Sequence, residues 1–262
     1  MAARIMGIVN VTPDSFSDGG LYLDPEAAVE HGRGLVAEGA DILDVGGEST
    51  RPGAAEVGAG EEIERVVPVI EALAGDGALV SVDTSKAEVA AAAIDAGAAI
   101  VNDVTALSDP EMAPLCGERG VELILMHMQG TPRTMQDNPT YEDVVREVRS
   151  FLADKVAEAV AGGVVEEKVW IDPGIGFGKN LAHNLELIRE LGELRDLGRP
   201  VLLGVSRKSF LGKITGREVG DRLGASIAAA VIGVQAGADC VRVHDVAATH
   251  DALAVLEATR GG

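Results

Sequence analysis

The feature that most constrains this chain is a repeat of pattern: eight short apolar runs, rich in β-branched residues, each followed by turn residues and then by a longer stretch of helical periodicity. The runs are Ile5 to Val9, Ile42 to Val45, Leu79 to Val82, Ala99 to Val101, Leu123 to Met126, Val169 to Ile171, Val201 to Gly204 and Cys240 to Val243. Helices are expected at roughly 25–38, 62–74, 86–97, 110–119, 141–161, 182–196, 221–236 and 248–259. Pro25, Pro110 and either Asp221 or Asp251 serve as start signals. Eight strand–helix units suggest an α/β fold of the closed (β/α)8 TIM barrel type. An open doubly wound sheet alternates in the same way. With 262 residues and 47% hydrophobic composition the chain can bury one large core. No Ser-, Pro- or Gly-rich linker divides it, so a single domain over 1–262 is expected.

Charge and cysteine usage narrow the function. The chain carries 42 acidic against 22 basic residues, a net −20, which disfavours general affinity for nucleic acid or an anionic membrane surface. A site for an anion must therefore gather its cations locally. Cys116 and Cys240 lie in no CxxC or His-rich context, so neither a disulfide framework nor a structural zinc is expected. The opening Met1-Ala2-Ala3-Arg4 and Ile5 to Val9 read as a first strand rather than a leader, and no apolar run of about 18 residues occurs. A soluble protein of the reducing cytoplasm is the expectation.

The residues directly after the apolar runs are repeatedly polar: Asn10, the stretch from Gly46 to Arg51, Asp83, Asn102 with Asp103, His127, Asp172, Ser206 to Ser209, and Arg242 with His244. In a parallel barrel these positions share one face, where the βα loops build active sites. Arg242 and His244 are two residues apart and so point to the same side of their strand. With Lys208 and Arg51 on that face they suggest an anion pocket. Asp83 and Asp172, half buried at strand ends, need donors. A substrate with an amidine-like edge could supply them, as could Lys208 or a loop amide. Asn102 both donates and accepts, as recognition of a flat heterocycle would require. Gly174 to Gly178 lacks the GxGxxG spacing, and Gly212-Lys213-Ile214-Thr215 lacks the hydroxyl residue directly after Lys that a P-loop needs.

Several segments, taken together and in order, resemble the dihydropteroate synthase family: GIVNVTPDSFSDGG (7–20), DVGGESTRPGA (44–54), SVDTSK (81–86), VNDV (101–104), DPGIGFGK (172–179), GVSRKSFLG (204–212) and RVHDV (242–246). The resemblance covers nearly the whole chain. It implies a (β/α)8 barrel, commonly a homodimer, that joins a pterin diphosphate to para-aminobenzoate and releases pyrophosphate. It implies that Asp83, Asn102, Asp172 and Lys208 hold the pterin, and that Asn10, Arg242 and His244 bind the diphosphate. Asn10 and Asp18 would lie at a Mg²⁺ site. Thr50, Arg51 and Pro52, with Phe16, Phe177, Lys208 and Ser209, would form the para-aminobenzoate site, and Lys208, Arg51, Asp18 and Phe16 are the catalytic candidates. His127 and Asp44 receive no assignment and are read as structural.

The chemistry follows from that set. Ionising the bond to the diphosphate needs charge neutralisation on the leaving group, worth roughly 3 kcal/mol of barrier for each well-placed charge. An aromatic amine is neutral at pH 7, so it needs positioning more than a strong base. A methyltetrahydrofolate-type methyltransferase would share the pterin contacts but would not need the second loop or the SRKSF and RVH segments. A Schiff-base aldolase using Lys208 lacks a burial argument for a lowered amine pKa. A catalytically inactive pterin-binding paralogue is the alternative from another class.

Overall fold

The computed structural model describes residues 2–12, 25–49, 57–131 and 134–260. Its eight strands are β1 (Arg4–Asn10), β2 (Ile42–Gly46), β3 (Val80–Asp83), β4 (Ile100–Asp103), β5 (Glu122–Met126), β6 (Val169–Asp172), β7 (Leu202–Gly204) and β8 (Cys240–Val243). All ladders are parallel, in the order β6-β5-β4-β3-β2-β1-β8-β7, and a parallel bridge between Ile171 and Val201 joins the two ends. The sheet is thus a barrel, the closed solution expected, rather than an open doubly wound sheet.

The helices are α1 (Pro25–Ala37), α2 (Ala59–Gly75), α3 (Ala87–Asp95), α4 (Met112–Arg119), α5 (Val144–Ala161), α6 (Leu181–Arg189), α7 (Leu191–Arg195), α8 (Ser209–Thr215), α9 (Leu223–Ala236) and α10 (Val246–Arg260). Three differ from expectation for local reasons. The segment expected as one helix over 182–196 breaks at Glu190, whose φ/ψ of −99°/25° leaves the helical basin and separates α6 from α7. Pro110 does not start α4, because Asp109 is committed to a turn in which its carboxylate accepts from the Ala87 and Glu111 amides. The short α8, directly after the SRK segment, has no counterpart in the sequence reading.

Two apolar layers follow from strand alternation. Residues facing outward pack with the helices into the larger core. Inside the barrel, Met6, Ile42, Ile100, Ile124, Trp170, Leu202 and Cys240 form a separate buried cluster. A step of two residues toward each strand's C-terminal end keeps the same inward face. That step replaces Ile42 by Asp44, Ile100 by Asn102, Trp170 by Asp172 and Cys240 by Arg242. The barrel therefore has an apolar floor and, about 7 Å above it by strand rise, a layer dominated by polar side chains.

Candidate active site

At the centre of the polar layer, Arg242 spans two carboxylates. Its Nε donates to Asp44 Oδ2 at 2.6 Å and its Nη2 to Asp83 Oδ2 at 2.8 Å. Asp44 is fully buried, and the same Oδ2 accepts from Asn102 Nδ2 at 3.1 Å. Because an ionised carboxylate only accepts, this contact turns the Asn102 amide nitrogen toward Asp44. Asn102 Oδ1 and Asp44 Oδ1 are then buried acceptors that meet no donor among the described residues. Burial raises the Asp83 carboxyl above its ordinary range against the pull of Arg242, and the neighbouring Asp44 charge adds to the rise. Burial raises Asp172 too, opposed first by Lys208.

Loops after β6 and β7 complete the mouth. Asp172 Oδ1 accepts from the Gly174 amide at 2.7 Å, and Lys208 donates from Nζ to the Ile175 carbonyl. The Lys208 ammonium also stands 4.5 Å from the centre of the Phe177 ring, a cation–π contact. Burial pushes the Lys208 amine down to about 8; Asp172 opposes this and Arg242 adds to it. The sequence reading found no burial argument for such a shift, and the structure corrects it: Lys208, from the loop after β7, packs against the loop after β6, some thirty residues earlier in sequence. Arg207, by contrast, turns away from the mouth. At φ 57° it pairs bidentately with Asp245 at 3.0 and 2.6 Å, while its amide donates to Ser226 Oγ.

The remaining candidates take stations around this centre. His244 donates its backbone amide to Ser206 Oγ and holds the same hydroxyl at 3.0 Å through Nδ1. Asn10 ends β1 opposite Gly46 of β2, and Ser209 is exposed at the start of α8. Phe16, Asp18, Thr50, Arg51 and Pro52 lie outside the described residues. The described ends of the second loop are nevertheless tied together. Glu48 accepts the Val57 amide at 3.1 Å and pairs with Lys86 at 2.5 Å, and Lys86 continues to the fully buried Glu62 at 2.6 Å.

Two residues without an assigned role prove central. Asp44 links Asn102 to Arg242; a charged residue inside an apolar strand run was the available signal. Lys179, in the last position of DPGIGFGK, is 2% exposed and bonds to His127 Nδ1 at 2.8 Å and to the Phe177 carbonyl at 2.9 Å. Nothing in its sequence context separates it from a surface lysine.

Comparison with known proteins places this constellation. The family model described as "Pterin binding enzyme" matches residues 6–244. The chain is 48% identical over 257 residues to the dihydropteroate synthase of Escherichia coli strain K12, covering 98% of this chain and 91% of that one. It is similar to a Xanthomonas albilineans dihydropteroate synthase solved with 4-aminobenzoic acid, at TM-score 0.93 and 50% identity, covering 100% of this chain and 94% of that one. A Xanthomonas albilineans structure in complex with 7,8-dihydropteroate gives TM-score 0.91 at 47% identity, covering 100% and 95%.

Proposed function

The chain belongs to the pterin binding enzyme family and, within it, to the dihydropteroate synthases, and we infer from that membership how its barrel mouth divides the work. The enzyme is a transferase of a pterinylmethyl group. It converts (7,8-dihydropterin-6-yl)methyl diphosphate and para-aminobenzoate to 7,8-dihydropteroate and pyrophosphate, a step of folate biosynthesis.

Pterin recognition falls to Asp83, Asn102, Asp172 and Lys208. The observation that carries this reading is the polar layer itself, in which open buried acceptors on Asn102 and Asp44 stand beside two desolvated carboxylates. Such a surface favours a flat heterocycle whose edge is rich in N–H donors. Positive charge developing on the methylene and spreading into the pterin is stabilised by the carboxylate forms of Asp83 and Asp172, whose proportion grows with pH because burial raises both groups.

Arg242, His244 and Asn10 face the leaving diphosphate. Mg²⁺ prefers hard oxygen ligands, keeps several waters and shares phosphate oxygens. The Asn10 amide oxygen fits that donor set, with Asp18 as its expected partner. When bound, the ion would neutralise charge on the departing diphosphate. Phe177, Lys208 and Ser209, with Phe16, Thr50, Arg51 and Pro52, hold para-aminobenzoate. Its amine is neutral at pH 7 and needs alignment rather than deprotonation. Closure over the site excludes water that would otherwise capture the cation.

A homodimer is the assembly this reading carries. Helix α9 has no charged residue from Leu223 to Ala236, yet Ala228 and Ile232, one turn apart on its outer face, are exposed, Ile232 by 52%. An apolar helix face of this kind calls for a covering partner. No described helix is long and apolar enough to cross a membrane, and a cytoplasmic setting suits the enzyme's soluble substrates. The test is direct: purified protein with pterin diphosphate, para-aminobenzoate and Mg²⁺ should yield dihydropteroate and equimolar pyrophosphate. Tight pterin binding without either product would assign the chain to the inactive paralogues instead.

A further inference from the structure

The loop from Pro173 to Asn180 is held in an unusual way. Four consecutive carbonyls each accept from a different side chain: Ile175 from Lys208, Gly176 from Gln136 at 2.6 Å, Phe177 from Lys179 at 2.9 Å and Gly178 from the Tyr141 hydroxyl at 2.8 Å. The loop backbone also lies directly on the exit of β5. A Cβ at Gly174, where φ is 63°, would stand 1.9 Å from the His127 carbonyl, and one at Gly178 would stand 2.5 Å from the Gln129 carbonyl. No L side chain fits at either place.

Lys179 passes between these two layers. Its three acceptors are His127 Nδ1 at 2.8 Å, the His127 carbonyl at 3.3 Å and the Phe177 carbonyl at 2.9 Å. None is a carboxylate. Burial lowers the Lys179 amine to about 7, with Asp172 opposing; in its protonated form each of the three N–H groups finds an acceptor. His127 is suited to its part, since it is buried with its ring edge-on to Phe151 at 4.8 Å, and burial with the nearby Lys179 charge lowers its pKa to about 3. The imidazole is therefore neutral and offers the Nδ1 lone pair. A buried lysine with no direct ion pair among the described residues is costly unless its position is useful.

We propose that Lys179 is a positioning residue that fixes the β6–α6 loop against the end of β5, and so sets the Phe177 ring and the Lys208 amine that together receive the aromatic amine. The proposal rests on the assignment of Phe177 and Lys208 to the para-aminobenzoate site. The route is short: Lys179 holds the Phe177 carbonyl, the Phe177 ring stacks on Lys208, and Lys208 bonds back to the neighbouring Ile175 carbonyl. Asp83, Asn102 and Arg242 lie on β3, β4 and β8, away from this route.

The test is Lys179→Met, which keeps the length of the side chain and removes its donors. KM for para-aminobenzoate should rise about tenfold or more, as expected for the loss of several buried hydrogen bonds, while KM for the pterin diphosphate, which shares Lys208 and Asp172 but is also held by Asp83 and Asn102 off this route, rises by a clearly smaller factor. Equal changes in the two constants, or none, would overturn the proposal. Hydrogen exchange of the ligand-free protein gives a second readout that needs no turnover. The Gly174 to Gly178 amides should exchange faster in the variant while β1 to β4 keep their protection; unchanged exchange at the loop is contrary to the proposal. If Lys179→Met does not fold, Lys179→Gln is read on the same terms, and failure of both to fold assigns Lys179 to stability alone and overturns it. A wild-type protein that makes no dihydropteroate counts against the functional reading, whereas the exchange experiment still judges Lys179.

Discussion

Asp44 and Arg242, 198 residues apart in the chain, meet at 2.6 Å inside the barrel, and through this contact the second strand orients the principal cation of the eighth. A fully buried carboxylate tolerates no loss of its partner. Arg242→Ala should therefore destabilise the ligand-free protein by about 3 kcal/mol in urea unfolding, besides weakening diphosphate binding in a substrate titration. Unchanged stability would mean that other groups take over the Arg242 bond to the buried Asp44 side chain.

The raised Asp83 carboxyl makes stability depend on pH with a definite sign. In the folded protein it holds its proton up to about pH 7, whereas in the unfolded chain it releases it near the ordinary value of about 4. Between these limits the folded state binds the extra proton, so this contribution is present at low pH and is lost as pH rises through about 7. Melting temperatures of wild type and Asp83→Asn between pH 5 and 8 should show the wild type losing stability relative to the variant as pH rises.

Lys208 titrates near 8, and its bond to the Ile175 carbonyl and its contact with Phe177 both use the ammonium. The pH profile of kcat/KM should fall on the alkaline side with an apparent pKa near 8. In Lys208→Arg that limb should move above pH 9, because a guanidinium does not lose its proton in this range. A limb at the same pH in both enzymes would assign the titration elsewhere.

Ile232 stands on the outer face of the uncharged α9. Ile232→Glu should convert the proposed dimer to a monomer in light scattering, with the far-ultraviolet circular dichroism spectrum preserved. A monomeric wild type would refute the assembly outright.

Much of the architecture was legible because the barrel repeats one pattern eight times, and the polar residues that end each repeat had to converge whatever the helices did. Contacts across the barrel were not legible. Asp83 could be seen to need donors, but nothing local indicated that Arg242 would supply one, or that Lys208 would be desolvated by a loop more than thirty residues earlier. The break between α6 and α7 depends on the conformation of one residue, Glu190, and α8 begins inside a segment that reads as a site loop. Phe16, Asp18, Thr50, Arg51 and Pro52 were reached by resemblance alone and lie outside the described residues.

The tie between Glu48 and Val57, backed by Lys86 and Glu62, separates two kinds of change. Because the ends of the intervening segment are fastened to each other and, through Lys86, to the scaffold, extra residues between them add only a slowly growing closure entropy. On the proposed assignment of Thr50, Arg51 and Pro52 to the para-aminobenzoate site, substitutions and insertions there would retune which aromatic amines are admitted while the barrel and its carboxylates stay as they are and stability changes little. The fold thus carries a variable cassette on a fixed frame, open to selection for altered ligand choice at little risk to folding.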